Sequence, residues 1–115
     1  MIKVYQIQLT DNEIDTINSD GEYTPRIKAF FDRSFERTFK AENFKYYDHV
    51  ATVDTDSMED AFTLMNLWED PYKVSKIPTR RCSSMSVGDI LEMEDGTLYR
   101  CASFGFTKLE NVEYA

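Results

Sequence analysis

Glycine, proline, cysteine and histidine are all scarce in this chain, with four Gly, three Pro, two Cys and one His among 115 residues. Each shortage excludes something. Four glycines, with no G-x-G-x-x-G or P-loop spacing, do not encode a backbone cradle for nucleotide phosphates. A lone histidine, His49, rules out an H-E-x-x-H zinc pair, and neither a Cys-His signature nor a G-x-S-x-G elbow occurs. Cys82 and Cys101 fit neither a metal-ligand spacing nor a disulfide-dense scaffold. They read as reduced thiols, Cys101 as a small buried hydrophobe. No apolar run approaches the ~20 residues that span a bilayer. Residues Met1–Gln6 lack the apolar stretch and small-residue cleavage site of a signal peptide. The expected location is the cytoplasm, with no membrane partner and no cofactor.

Positive charge is scarce too. Thirteen Lys and Arg face 21 Asp and Glu, a net charge of −8 with a pI of about 4.6. That balance opposes general attraction to nucleic acid or anionic membranes. The charges fall in blocks. Residues 48–70 hold seven acids and no Lys or Arg, whereas 26–47 hold six basic groups against three acids and 71–81 hold four basic groups and no acid.

Apolar and aromatic residues are plentiful: 42% of the chain is hydrophobic, with eight Phe and seven Tyr. A chain of this length buries roughly two-thirds of its unfolded surface, so 1–115 is expected to form one domain with a single core. Residues 2–9, rich in β-branched and aromatic side chains, predict a strand. Thr10 and Glu13 form a capping box for a short helix with Ile14 and Ile17 on its apolar face and Asp20-Gly21 as its stop. Thr24 and Pro25 open a second helix, on which Ile27, Phe31, Phe35 and Phe39 make an apolar stripe beside Phe30. Arg26, Arg33, Arg37 and Lys40 give it a basic outer face.

A second strand is predicted over 46–53. Ser57, spaced from Asp60 as in a capping box, starts a helix over 58–68 with Met58, Ala61, Phe62, Met65 and Trp68 on one side. Pro71 ends it, and 73–77 reads as a short strand completing a β-α-β unit. In the last third, residues 90–94 and 97–102 flank Asp95-Gly96, the signal of a two-residue type I′ hairpin turn. Thr107-Lys108-Leu109 extend the sheet. The expected fold is α+β: three to five mainly antiparallel strands, two or three helices on one face and a C-terminal hairpin.

Chemistry-bearing residues are few. Asp54, Asp56, Glu59 and Asp60 could suit a hard cation, but the glycine and bidentate glutamate of a calcium loop are missing. Acids at a helix N-terminus are also favoured by the dipole, at ~0.3–1 kcal/mol each, so no metal is assigned. His49 could act as a general base, and a small enzyme using Asp54, Asp56 and His49 is one alternative reading. No catalytic residue is assigned. Lys73, Lys76, Arg80 and Arg81 form an anion-binding candidate. With the basic helix 26–40 they support a nucleic-acid-binding alternative, against the plainer reading that they neutralise the acidic 48–70 block. The favoured contact surface is acidic: Asp54, Asp56, Glu59, Asp60, Glu69 and Asp70, with Trp68 as an aromatic anchor. A DNA mimic would need such carboxylates on one continuous face.

Ser84-Met85-Ser86-Val87-Gly88-Asp89-Ile90-Leu91, then Asp95-Gly96, Tyr99 and Phe104-Gly105-Phe106, resemble the C-terminal module of YodL-like proteins, small proteins of bacteriophages and mobile elements. That module has a Ser-rich turn, Asp-Val or Asp-Ile opening a strand, a turn, an aromatic strand and Gly-Phe. The likeness covers about residues 78–109. It implies a phage or mobile-element origin and no particular activity. On the residues alone, Ser86 can cap a tight turn at Val87-Gly88-Asp89. The expected function is that of an acidic, non-catalytic accessory protein that binds a host macromolecule.

Overall fold

The computed structural model describes residues 1–35, 41–67, 70–77, 82–102 and 105–109, with side chains described at all of these except 33–35, 41 and 42. Six strands make one sheet: β1 (Ile2–Ile7), β2 (Tyr47–Val53), β3 (Val74–Lys76), β4 (Ile90–Glu92), β5 (Leu98–Cys101) and β6 (Phe106–Leu109). Their order is β3-β2-β1-β4-β5-β6, and every neighbouring pair is antiparallel. Among the described residues three helices complete the α+β architecture: α1 (Asp11–Asn18), α2 (Pro25–Phe35) and α3 (Met58–Leu67). The sheet has one strand more than the expected range, because 106–109 pairs fully with β5.

The helix starts follow local chemistry. Thr10 Oγ1 accepts from Glu13 N–H at 3.1 Å, and Glu13 Oε1 accepts from Thr10 N–H at 3.1 Å, the reciprocal capping box. Burial pushes the Glu13 carboxyl up, but the hydrogen bonds from Thr10 and Thr24 outweigh that and hold it below its ordinary value. Thr24 Oγ1 accepts from Ile27 N–H at 3.3 Å, one turn into α2 behind Pro25. Ser57 Oγ accepts from Asp60 N–H at 3.3 Å and so caps α3.

Adjacent residues of a strand point to opposite faces, and β4 shows what each face carries. Leu91 packs with Ile2, Val4, Val53, Ala61 and Met65 beneath α3. Its neighbour Ile90 packs with Ile7, Ala29 and Phe44 beneath α2 and a 3₁₀ helix at Ala41–Tyr46. The helices therefore cover both faces, correcting the expectation that they share one. A β-bulge makes this pattern fit β2: Val4 pairs with Ala51 but Tyr5 with His49, so Val50 is the extra residue. Without it Tyr47 would fall on the α3 face; with it Tyr47 joins Ile7 and Phe44. On α3, Ala61 and Met65 are fully buried, while Phe62 lies a further step round the helix and is 38% exposed. On α2, Ile27 and Ala29 are buried and Phe31 is half-buried, stacked on Tyr23 with centroids 5.5 Å apart. The Phe35 side chain, Phe39 and Trp68 lie outside the described residues.

Two further expectations are corrected. The β2–α3–β3 connection is not a parallel β-α-β unit. Asp54 N–H donates to Lys73 C=O at 2.8 Å and Val53 pairs with Val74, so the connection closes at one end of the sheet and β3 runs back. The β4–β5 turn is not type I′, which needs positive φ at both central residues. Here Gly96 N–H donates to Met93 C=O at 2.9 Å, and Met93 N–H to Thr97 C=O at 2.9 Å. These bonds enclose a three-residue loop, Glu94-Asp95-Gly96, with only Gly96 left-handed at φ +87°. Asp95 avoids the cost of positive φ, and its Oδ1 accepts from Thr97 N–H at 2.9 Å. A Cβ on Gly96 would meet nothing within 4 Å, so backbone strain alone sets the cost of Gly96→Ala. Denaturation should show a loss of ~1 kcal/mol, and less for Gly96→Asn, which tolerates this region.

Residues 82–86 have no strand partner, and side chains satisfy their backbone instead. Gln6 of β1 donates to Ser83 C=O at 3.0 Å and accepts from Ser83 N–H at 3.1 Å. Two residues on, Asn66 of α3 donates to Met85 C=O at 3.2 Å and accepts from Met85 N–H at 2.7 Å. The turn at Val87-Gly88 follows as expected, with Asp89 N–H bonded to Ser86 C=O at 3.0 Å and Gly88 at φ +94°. The Asp89 side chain supports it, its Oδ2 accepting from Ser86 N–H at 2.9 Å.

Candidate functional site

The carboxylates singled out from the sequence gather at one end of the sheet. Asp54 and Asp56 sit in the connection leaving β2, and Glu59 and Asp60 in the first turn of α3. All four are exposed. Their backbone is ordered by short local bonds, Thr55 N–H to Val53 C=O at 2.9 Å and Ser57 N–H to Thr55 Oγ1 at 3.1 Å. Asp70 opens a short 3₁₀ turn over Pro71–Lys73, and the Lys73–Asp54 backbone bond brings that turn to the same end. Trp68 and Glu69 lie outside the described residues.

Strand order adds acids that linear spacing did not reveal. Because β4 pairs with β1 antiparallel, the β4–β5 loop emerges beside the exit of β2, carrying Glu94 and Asp95. The Met1 amino group measures the closeness: it lies 2.6 Å from Glu94 Oε1 and 3.5 Å from Asp56 Oδ1. Hydrogen bonding to Glu94 raises the pKa of that amine. Asp95 is held below its ordinary value by the Thr97 backbone N–H. Asp54, Glu59 and Asp60 make no ion pair with any described residue, so this end presents uncompensated negative charge. The sequence signal for Glu94 and Asp95 was the hairpin tip itself; only strand order says which end of the sheet it meets.

No family model, no curated protein and no solved structure matches the chain.

The other candidates are not brought together. His49 lies mid-strand, half-buried, its Nε2 3.0 Å from Ala51 C=O and 3.1 Å from Thr52 Oγ1, with its ring against Tyr5. Asp54 follows five residues along an extended chain, roughly 16 Å away at strand rise. His49, Asp54 and Asp56 therefore do not converge, and this corrects the reading that joins them in one site. Among the described residues no three His, Cys, Asp or Glu side chains are grouped to hold a metal ion. Of the anion-binding set, Lys73 sits at the acidic end and Lys76 is exposed on β3, while Arg80 and Arg81 lie outside the described residues. Lys73 makes no ion pair with a described acid, although it sits at the same end as Asp54. Among the described residues, no helix is long and apolar enough to cross a membrane.

Both thiols are free. Burial pushes the Cys101 thiol up to about 11, and burial also raises Cys82 against the opposing pull of Lys76. A protonated thiol is a poor nucleophile, so neither environment favours redox sensing. The Cys101 shift predicts an alkaline instability. Above about pH 9 the unfolded thiol loses its proton while the folded one keeps it, so the unfolded state binds fewer protons and stability falls as pH rises towards 11. The stability of the native chain relative to Cys101→Ala should shrink by about 1–2 kcal/mol across that window, screening by solvent reducing the full effect of the shift. A difference that does not change with pH would refute it.

Proposed function

We propose that this is a non-catalytic binding protein that docks its acidic end on a basic surface of a host macromolecule, in the first instance a protein. One observation carries the reading. Carboxylates from sequence-distant segments, Asp54–Asp60 and Glu94-Asp95, share one exposed end of the sheet, and the described residues leave Asp54, Glu59 and Asp60 unpaired. A surface of one sign raises the encounter rate with an oppositely charged partner and rejects like-charged ones. The separation of His49, within β2, from Asp54 and Asp56, in the connection after it, supports binding over catalysis. The likeness of residues 78–109 to YodL-like proteins supports an accessory role of phage or mobile-element type. Nucleic acid is the less favoured partner, because the end of the sheet that bears Lys73 is dominated by acids.

The test is capture from bacterial lysate with the native chain and with a variant neutralised at Asp54, Asp56, Glu59 and Asp60, at low and high salt. A stoichiometric protein retained by the native chain, released by salt and lost in the folded variant is the expected result. Equal capture by both forms, or recovery of nucleic acid alone, would overturn the proposal.

A further inference from the structure

The larger of the two described clefts, about 410 Å³, lies at the far end of β1 from the acidic surface, between α1 and α2. Helix α1 buries none of its residues. Ile14 and Ile17, spaced to share one helical face, border this cleft instead of a core, across from Ile7, Leu9, Phe30 and Phe31. A short amphipathic helix draws most of its stability from covering its apolar stripe, so the face that Ile14 and Ile17 turn to this cleft gains from an apolar ligand against it. The volume falls in the range of small-molecule sites, which are mostly apolar with a few placed polar groups.

One such group lies just outside the lining, bonded to it. Arg26 lies one turn before Phe30 on α2, and its Nη1 donates to the backbone C=O of Gln8, a lining residue, at 3.2 Å. No other hydrogen bond ties its guanidinium to a described residue. Glu13, its acidic neighbour, holds Thr10 N–H at 3.1 Å and the Thr24 hydroxyl at 2.7 Å. The Arg26 charge also lowers the Glu13 pKa, but the two side chains form no ion pair. The guanidinium fork matches a carboxylate in shape and charge. Arg26 also begins the basic stretch 26–47, which the acidic end does not use.

We propose that this cleft binds a small apolar carboxylic acid, with its hydrocarbon between Ile14, Ile17, Phe30 and Phe31 and its carboxylate on Arg26. The site is separate from the acidic end and does not depend on the function proposed for it. Sodium decanoate is the probe, with decanol as its uncharged counterpart, followed by NMR titration of side-chain methyls. Saturable shifts at Ile7, Leu9, Ile14 and Ile17 are expected. Arg26→Gln, checked for native spectral dispersion, should weaken decanoate about tenfold or more while leaving decanol unchanged, and Arg26→Lys should recover part of the loss. The proposal falls if no saturable shift occurs into the millimolar range, or if the shifts map elsewhere. It falls equally if Arg26→Gln weakens both ligands alike, or if a peptide with an apolar C-terminus binds the cleft and decanoate does not.

Discussion

An Asp89→Ala variant is expected to lose about 2–4 kcal/mol of stability in chemical denaturation, a large share of what a domain of this size possesses. Asp89 is 2% exposed, and its Oδ2 accepts from Ser86 N–H at 2.9 Å and from Gln6 Nε2 at 3.1 Å. Alanine removes the oxygen that accepts both bonds and leaves the Ser86 N–H and one Gln6 amide hydrogen without that partner, at ~1–3 kcal/mol for each buried donor. The damage should spread, because the same Gln6 amide holds Ser83, and Asn66 holds Met85 two residues along. Residues 82–86 rely on these side-chain bonds in place of a strand partner, so their amides should exchange much faster in the variant. If Asp89→Ala stays within ~0.5 kcal/mol of the native chain, as an ordinary surface substitution does, this account of the segment is wrong.

The second large effect separates the two faces of the sheet. Ile90 and Leu91 are adjacent in β4 and both fully buried, yet they belong to different cores. Each truncation to alanine should cost ~2–5 kcal/mol, the transfer free energy of the lost methyl groups plus the cavity left behind. Local protection should distinguish them. Leu91→Ala opens space beneath Ala61 and Met65, so hydrogen exchange should rise chiefly in α3. Ile90→Ala opens space beneath Ala29 and Phe44, so exchange should rise chiefly in α2 and the 3₁₀ helix after it. An identical exchange pattern in both variants would mean that the faces unfold as one unit and that the two-core description fails.

Local features were legible because the interactions that make them span four residues or fewer. The Thr10–Glu13 box, the Thr24-Pro25 start and the Ser57–Asp60 cap are each written in a contiguous stretch and appear as expected. The hairpin was equally plain, although its turn type was not. Asp95-Gly96 suits either a two-residue or a three-residue loop, and the choice depends on which residues β1 aligns in β4. The bulge at Val50 illustrates the same limit. Val50, Ala51 and Val53 look like an irregular apolar run until β1 supplies the pairing that sorts them.

Taken alone, the order of residues determined where helices and strands begin, the α+β class and the abundance of acid around 48–70, since propensity, capping and charge are local properties. It did not determine the antiparallel return of β3, the split of α2 and α3 between faces, or the meeting of Asp54–Asp60 with Glu94-Asp95. Those depend on strand order, a choice among pairings between residues far apart in the chain. That choice is made by burying Ile90 and Leu91 on opposite sides of one sheet, and the acidic end is its consequence.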